Sequence, residues 1–332
     1  MNKVKLASTA QKMVAKGKGI LAADESMGTI EKRLTSIGVK STENNRRNYR
    51  NLLFTAPGME KYISGVILFD ETMRQKSDSG ISFPKLLLKN GVIPGIKVDT
   101  GANDLAFYPG EKVTEGLDGL RERFEEYAKL GAGFAKWRAV ITIGIGTPTD
   151  ECIDTNVHAL VRYAALAQEV DIVPIVEPEV LMDGNHTLAR CEEVTTRTLR
   201  RLFAELKKYR VYLPGTILKP NMVISGSEAK NQATVREVAE ATLRTFKKVV
   251  PKEVPGIVFL SGGLSPEQAT ERLDMINKLK GGAPWELSFS FGRALQNEAL
   301  TTWQGKAANV KSAQEAFLRR AKSVAMARQG GL

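Results

Sequence analysis

Short apolar runs and longer amphipathic stretches alternate along the whole chain. The runs are rich in Val, Ile, Leu and Phe: GILAAD (19–24), ISGVILFD (63–70), IPGIKVD (93–99), FAKWRAVI (134–141), IVPIVEP (172–178), TILKPNM (216–222), GIVFLSG (256–262) and ELSFSFG (286–292). A nearly unbroken apolar run of this length is the pattern of a parallel strand buried on both faces. The intervals carry apolar residues at helical spacing: Leu117, Leu120, Phe124 and Tyr127; Leu199, Leu202, Phe203 and Leu206; Val235, Val238, Thr242, Phe246 and Val249. Each such stripe predicts a helix lying on the sheet. Strand–helix alternation repeated eight times predicts right-handed crossovers, and eight parallel strands can close on themselves. The expected fold is α/β, a single-domain (β/α)8 TIM barrel over 1–332, with an N-terminal helix at about 1–16 and a C-terminal helix and tail at about 312–332. A doubly wound open sheet is the alternative. Pro174 lacks a ladder donor, but it lies near the start of its run, where that loss matters least.

Composition narrows the class. The 332 residues are 42% hydrophobic and 26% charged, ordinary for a globular chain with a sizeable core. The formal net charge of +11 favours anionic partners, phosphate esters or nucleic acids among them. Lys and Arg are mixed with acids, as in KNQATVREVAEATLRTFKK, rather than segregated into a basic face. Binding of nucleic acid or an acidic filament is therefore expected only as a secondary role. Cys152 and Cys191 are too few for a disulfide framework. The basic N-terminus has no apolar core of a signal peptide, and no stretch reaches the ~18 apolar residues of a membrane span. A cytoplasmic protein, neither secreted nor membrane-inserted, is expected. Asn185-His186-Thr187 then matches a glycosylation acceptor by chance.

Charge inside a buried strand is costly unless it is paired, so the residues that break the apolar pattern are the informative ones. They gather at one end of the runs. Asp24 ends the first; Lys97 and Asp99 end the third; Lys136 and Arg138 lie in the fourth; Glu177 and Glu179 end the fifth; Lys219 and Asn221 end the sixth. Side chains at i and i+2 share a face of a strand, so these pairs project together into the mouth of a barrel, where barrel enzymes carry their active sites. Repulsion among three lysines and an arginine predicts that at least one amine is held well below the ordinary lysine value of about 10.4. A neutral amine adds to a ketone and loses water to give an iminium, an electron sink for a breaking C–C bond. Glu177 and Asp24 are placed to move the protons this requires.

Two further strand ends suit phosphate. LSGGLSPEQA (260–269) offers Ser261, Gly262 and Gly263 before a helix start, and SFGRAL (290–295) offers Ser290, Gly292 and Arg293. The loops after strands seven and eight are the usual phosphate site of this fold. Ser26, Thr29 and Arg33 could hold a second phosphate on the first helix, with ordinary capping as the alternative. His158 and His186 share no metal-ligand spacing with each other or with the cysteines, so no metal is expected. There is no G-x-x-x-x-G-K-[ST] motif, and Gly144-Ile145-Gly146 continues as Thr147-Pro148, so no nucleotide cofactor is expected either.

Taken together, GKGILAADES (17–26), GVILFDET (65–72), GIKVDTG (95–101), FAKWR (134–138), IVPIVEPE (172–179), LKPNM (218–222), FLSGG (259–263) and FGRAL (291–295) closely resemble class I fructose-1,6-bisphosphate aldolase. The match runs through all eight expected strands. The resemblance implies reversible cleavage of fructose 1,6-bisphosphate to dihydroxyacetone phosphate and glyceraldehyde 3-phosphate in glycolysis and gluconeogenesis, by a metal-free homotetramer. It implies Lys219 as the Schiff-base lysine, Glu177 as the main general acid/base with Glu179 assisting, Lys136 in carbinolamine formation and dehydration, and Asp24 orienting the sugar hydroxyls and the lysine. Ser261, Gly262, Gly292 and Arg293 would hold the C1 phosphate, and Ser26, Thr29, Arg33, Lys97 and Arg138 the far end of the substrate. The family's mobile C-terminal tail commonly ends in a tyrosine, whereas this chain ends MARQGGL with none after Tyr212. That leaves proton delivery to the enamine unassigned. Another imine-forming aldolase or transaldolase on the same barrel is the rival enzyme, disfavoured by two phosphate sites. A scaffold holding acidic filaments or nucleic acid is the rival from another class.

Overall fold

The computed structural model describes residues 1–332. Eight parallel strands close into a barrel: β1 (Gly19–Ala23), β2 (Ile63–Leu68), β3 (Ile93–Lys97), β6 (Phe134–Ile141), β7 (Val173–Val180), β8 (Ile217–Leu218), β9 (Gly256–Phe259) and β10 (Glu286–Phe291), neighbours in chain order with β10 returning to β1. Each of the eight apolar runs carries one of these strands, and at least one helix lies in every interval between them. The remaining pair, β4 (Gly101–Asp104) and β5 (Lys112–Glu115), forms an antiparallel hairpin outside the barrel, in the loop after β3. The apolar pattern does not reveal this hairpin, because most of its side chains are exposed or half-exposed and no run marks it.

The strands are buried because both faces are covered. Outside, Leu199, Leu202 and Phe203, with Val238 and Phe246, pack from their helices onto the sheet in one continuous core. Inside, the first residues of several strands (Phe134, Val173, Ile217) close the N-terminal end together with Leu6, Ala10 and Met13 of the helix Lys3–Met13. Size is matched across this inner layer. A Cβ on Gly95 would lie 2.3 Å from the ring of Phe134, so the glycine makes room for the aromatic. The N-terminal helix plugs the bottom of the barrel, which leaves only the C-terminal mouth for a site.

Two local features shape that mouth. β8 is only two residues long, since Pro220 has no N–H to extend the ladder, although its carbonyl still accepts from the Leu260 amide at 3.2 Å. The helix Pro266–Leu279 starts on a capping box between Ser265 and Gln268, which fixes the turn carrying Ser261 and Gly262 just before it. At the C-terminal end the last helix spans Val310–Ala327. No helix is long and apolar enough to cross a membrane.

Candidate active site

Strand register brings the charged residues together. Lys97 of β3 pairs in register with Lys136 of β6, and Arg138 of β6 with Glu177 of β7. The Lys219 amide donates to Val176 O at 2.9 Å, which sets the Lys219 side chain beside Glu177. Lys136, Glu177 and Lys219 are all buried. Lys219 Nζ lies 3.1 Å from Glu177 Oε1, and Lys136 Nζ lies 2.7 Å from Asp24 Oδ2 and 3.5 Å from Glu177 Oε2. Glu177 Oε2 accepts no hydrogen bond; the Lys136 ammonium at 3.5 Å is its charge partner.

The charges alternate in sign. Lys97 pairs with Asp99 at 2.6 Å, Arg138 with Glu179, Lys136 with Asp24 and Lys219 with Glu177. This corrects the expectation of mutually repelling cations, because each cation has a carboxylate within ion-pair distance. Burial alone would lower the Lys136 ammonium, but Asp24, Glu177 and Asp99 outweigh it and hold Lys136 above the ordinary lysine value. Burial alone would raise the Asp24 carboxyl, yet Lys136 and Lys219 hold it at about 2. Asp24 and Lys136 are therefore a fixed ion pair at neutral pH. Arg138 is likewise raised, its burial overcome by Glu179.

A cavity of about 510 Å³ opens beside Lys219 and Glu177, and is lined predominantly by polar side chains. Arg33, Arg138, Glu179, Ser261, Gly262, Gly263, Ser290, Gly292 and Arg293 all reach its wall. At one end Arg293 Nη2 donates to Gly262 O at 2.6 Å, tying the two glycine-rich turns into one cradle. Gly262 has φ +53°, the left-handed backbone that favours glycine. Ser290 Oγ is buried, lines the cavity and has no partner, so it is an unused donor. The Gly263 amide is already engaged, donating to Met182 Sδ at 3.1 Å.

The remaining residues singled out from the sequence are distributed as follows. Asp24 and Lys136 lie among the charged cluster rather than on the cavity wall. Lys97 is held by Asp99; Ser26, just before the helix Met27–Thr35, and Thr29 on it are both exposed, their hydroxyls 3.1 Å apart. Ser26 makes no side-chain cap, so its hydroxyl is not used to start the helix. The buried thiols are poor nucleophiles: burial, with Glu111 nearby, pushes Cys152 up to about 12, and burial raises Cys191 as well. His158 lies on the helix Asp150–Glu169, exposed and beside Glu205, and does not line the cavity. No group of three or more His, Cys, Asp or Glu side chains is arranged to hold a metal ion.

A family profile described as fructose-bisphosphate aldolase class-I matches residues 5–332. The chain is 57% identical over 326 residues to a probable fructose-bisphosphate aldolase class 1 of Xylella fastidiosa, covering 98% of this chain and 97% of that one. The chain belongs to the class I fructose-bisphosphate aldolase family. Membership makes it an enzyme, a carbon–carbon lyase. The family spans distant sources: fructose-bisphosphate aldolase 6, cytosolic, of Arabidopsis thaliana is 54% identical, over 92% of this chain and 86% of its own. Among solved structures, the Plasmodium falciparum fructose-bisphosphate aldolase, crystallised with TRAP and a small-molecule inhibitor, superposes with a TM-score of 0.97 at 48% identity, covering 99% of this chain and 95% of that one.

In this aldolase the sequence pattern missed several site features. Met182, Asp183 and Ser227 line the cavity from loops after β7 and β8, and Glu25 sits behind it, buried between Arg33 and Arg50. The loop residues carry no strand signal. Glu25 is adjacent to Asp24, and its acidic neighbour at a strand end was the one available hint. The sequence groups Arg33 with Ser26 and Thr29; its Nη2 lies at the Gly292 turn, 3.7 Å from where a Cβ on Gly292 would sit.

Proposed function

We propose that this aldolase cleaves fructose 1,6-bisphosphate through an imine on Lys219. The observation that carries the reading is the buried Lys219 Nζ, 3.1 Å from a carboxylate at the rim of a polar cavity. Glu177 takes the proton from the amine, which then attacks the ketone carbon C2. The carbinolamine loses its hydroxyl as water, with Glu177 donating the proton and Lys136 stabilising the developing charge. The resulting iminium draws electrons from the C3–C4 bond as a carboxylate, Glu177 assisted by Glu179, accepts the C4 hydroxyl proton, and the aldehyde product leaves. The enamine takes a proton at C3 and water releases dihydroxyacetone phosphate from Lys219. Asp24 keeps Lys136 charged and orients the sugar hydroxyls.

Ser261, Gly262, Gly292 and Arg293 hold the C1 phosphate, with Arg33, Gly263 and Ser290 close by. Arg138, Lys97, Ser26 and Thr29 serve the far end of the substrate. The resemblance supports a homotetramer in glycolysis and gluconeogenesis, and the cytosolic naming of plant relatives supports a cytoplasmic location. Lys219→Arg tests the reading, because it keeps the charge and removes imine chemistry. It is expected to lower kcat at least about 10⁴-fold while the protein stays folded. Activity within tenfold of the unaltered enzyme would reject the assignment.

A further inference from the structure

Glu25 follows Asp24 just past the end of β1, and its side chain is buried. Its two oxygens are divided between two guanidiniums, Oε1 accepting from Arg33 Nη1 and Oε2 from Arg50 Nη2. Gln296, fully buried on the helix Arg293–Trp303, donates to the same Oε1 at 3.0 Å and to Ala22 O at 2.6 Å. Tyr49 in turn donates to Gln296 Oε1 at 3.0 Å. One carboxylate thus joins the end of β1, the helix Met27–Thr35, the helix Glu43–Phe54 and the helix whose first residue is Arg293.

Two cations against one anion leave this buried unit with a surplus positive charge behind the cradle. Arg50 Nη1 has no partner although Arg50 is almost wholly buried. A buried ion is tolerated when every charge has an answering one, and here the answering anion is incomplete. The Arg33 guanidinium faces both ways. Nη1 is committed to Glu25, and Nη2 lies at the Gly292 turn, on the cavity wall.

We infer that Glu25 is a positioning residue: by sharing its carboxylate between Arg33 and Arg50 it fixes the Arg33 guanidinium with Nη2 aimed into the phosphate cradle. Gln296 locks the same carboxylate to the helix of Arg293, so both arginines flanking the cradle are set by one buried unit. The inference deepens the proposed function, on which it rests for the phosphate at this end. It makes an unusual prediction. If Glu25 acted only through its charge, its removal would make the cradle more positive and tighten anion binding; as a positioner, its removal loosens Arg33 and weakens binding.

The test is calorimetric titration of inorganic phosphate into the full-length protein, beside steady-state kinetics, for Glu25→Gln and Arg50→Lys. For Glu25→Gln the expected outcome is about a tenfold higher phosphate dissociation constant and a matching rise in KM, the loss of one charge-assisted contact, with kcat within about threefold. Arg50→Lys keeps the charge but loses the planar fork, and is expected to weaken phosphate binding several-fold in the same direction. Should Glu25→Gln fail to fold, Arg50→Lys alone carries the test. Unchanged or tighter phosphate binding, or a kcat loss at unchanged phosphate affinity, overturns the inference. Failure of the imine reading shows elsewhere, as intact Lys219 after borohydride treatment of the unaltered enzyme, and leaves the phosphate titrations unaffected.

Discussion

Asp24 stands 2.7 Å from Lys136 and is held at about 2 by that ammonium and by Lys219, against a burial effect of the opposite sign. Its folded value lies below the unfolded one near 3.9, so the pair stabilises the fold fully above about pH 4 and ceases to do so as pH falls through about 2. The corresponding free energy is on the order of 2 kcal/mol. Asp24→Asn removes it. Denaturant unfolding at several pH values is expected to show the unaltered protein more stable than the variant near pH 6, with the gap about 1 kcal/mol narrower at pH 3. A gap that does not change with pH would mean that Asp24 is not ionised against Lys136 in the fold. The same residue illustrates how the site was legible. Acid and base at the ends of apolar runs are too costly to bury unpaired, so Asp24, Lys136, Glu177 and Lys219 stood out. The sign of their mutual influence did not, because it depends on which neighbour is nearest, and that is set by barrel register.

At the level of elements, the eight strands were legible because each is buried on both faces and therefore written as a continuous apolar run. The hairpin β4–β5 was not, since its side chains are largely solvated and its pairing depends on one antiparallel register. The network around Glu25 was equally hidden: its partners are 8 and 25 residues away along the chain and meet only once two helices dock. Inner-layer packing gives a direct prediction. Gly95→Ala forces a methyl group to 2.3 Å from the Phe134 ring and is expected to cost about 1–3 kcal/mol in thermal or denaturant unfolding. Combining it with Phe134→Leu should recover part of that loss, because the two positions share one space. Strictly additive losses would show that the ring and the glycine are not matched.

On the scale of the whole molecule, the helix Lys3–Met13 closes one end of the barrel, and the other end gathers four cation–carboxylate pairs, two of which, Arg138–Glu179 and Lys219–Glu177, line the cavity. The electron sink in this account is a protein amine, so prolonged dialysis against a chelator is expected to leave turnover unchanged. Activity lost to the chelator and restored by zinc would require a different sink. The central claim is that Lys219 forms a covalent imine with the substrate ketone. Borohydride added together with dihydroxyacetone phosphate, followed by intact-mass and peptide mass spectrometry, tests it most directly. One ligand fixed per chain, on the peptide containing Lys219, with parallel loss of activity, is the predicted result; label on another lysine, or none, would contradict it.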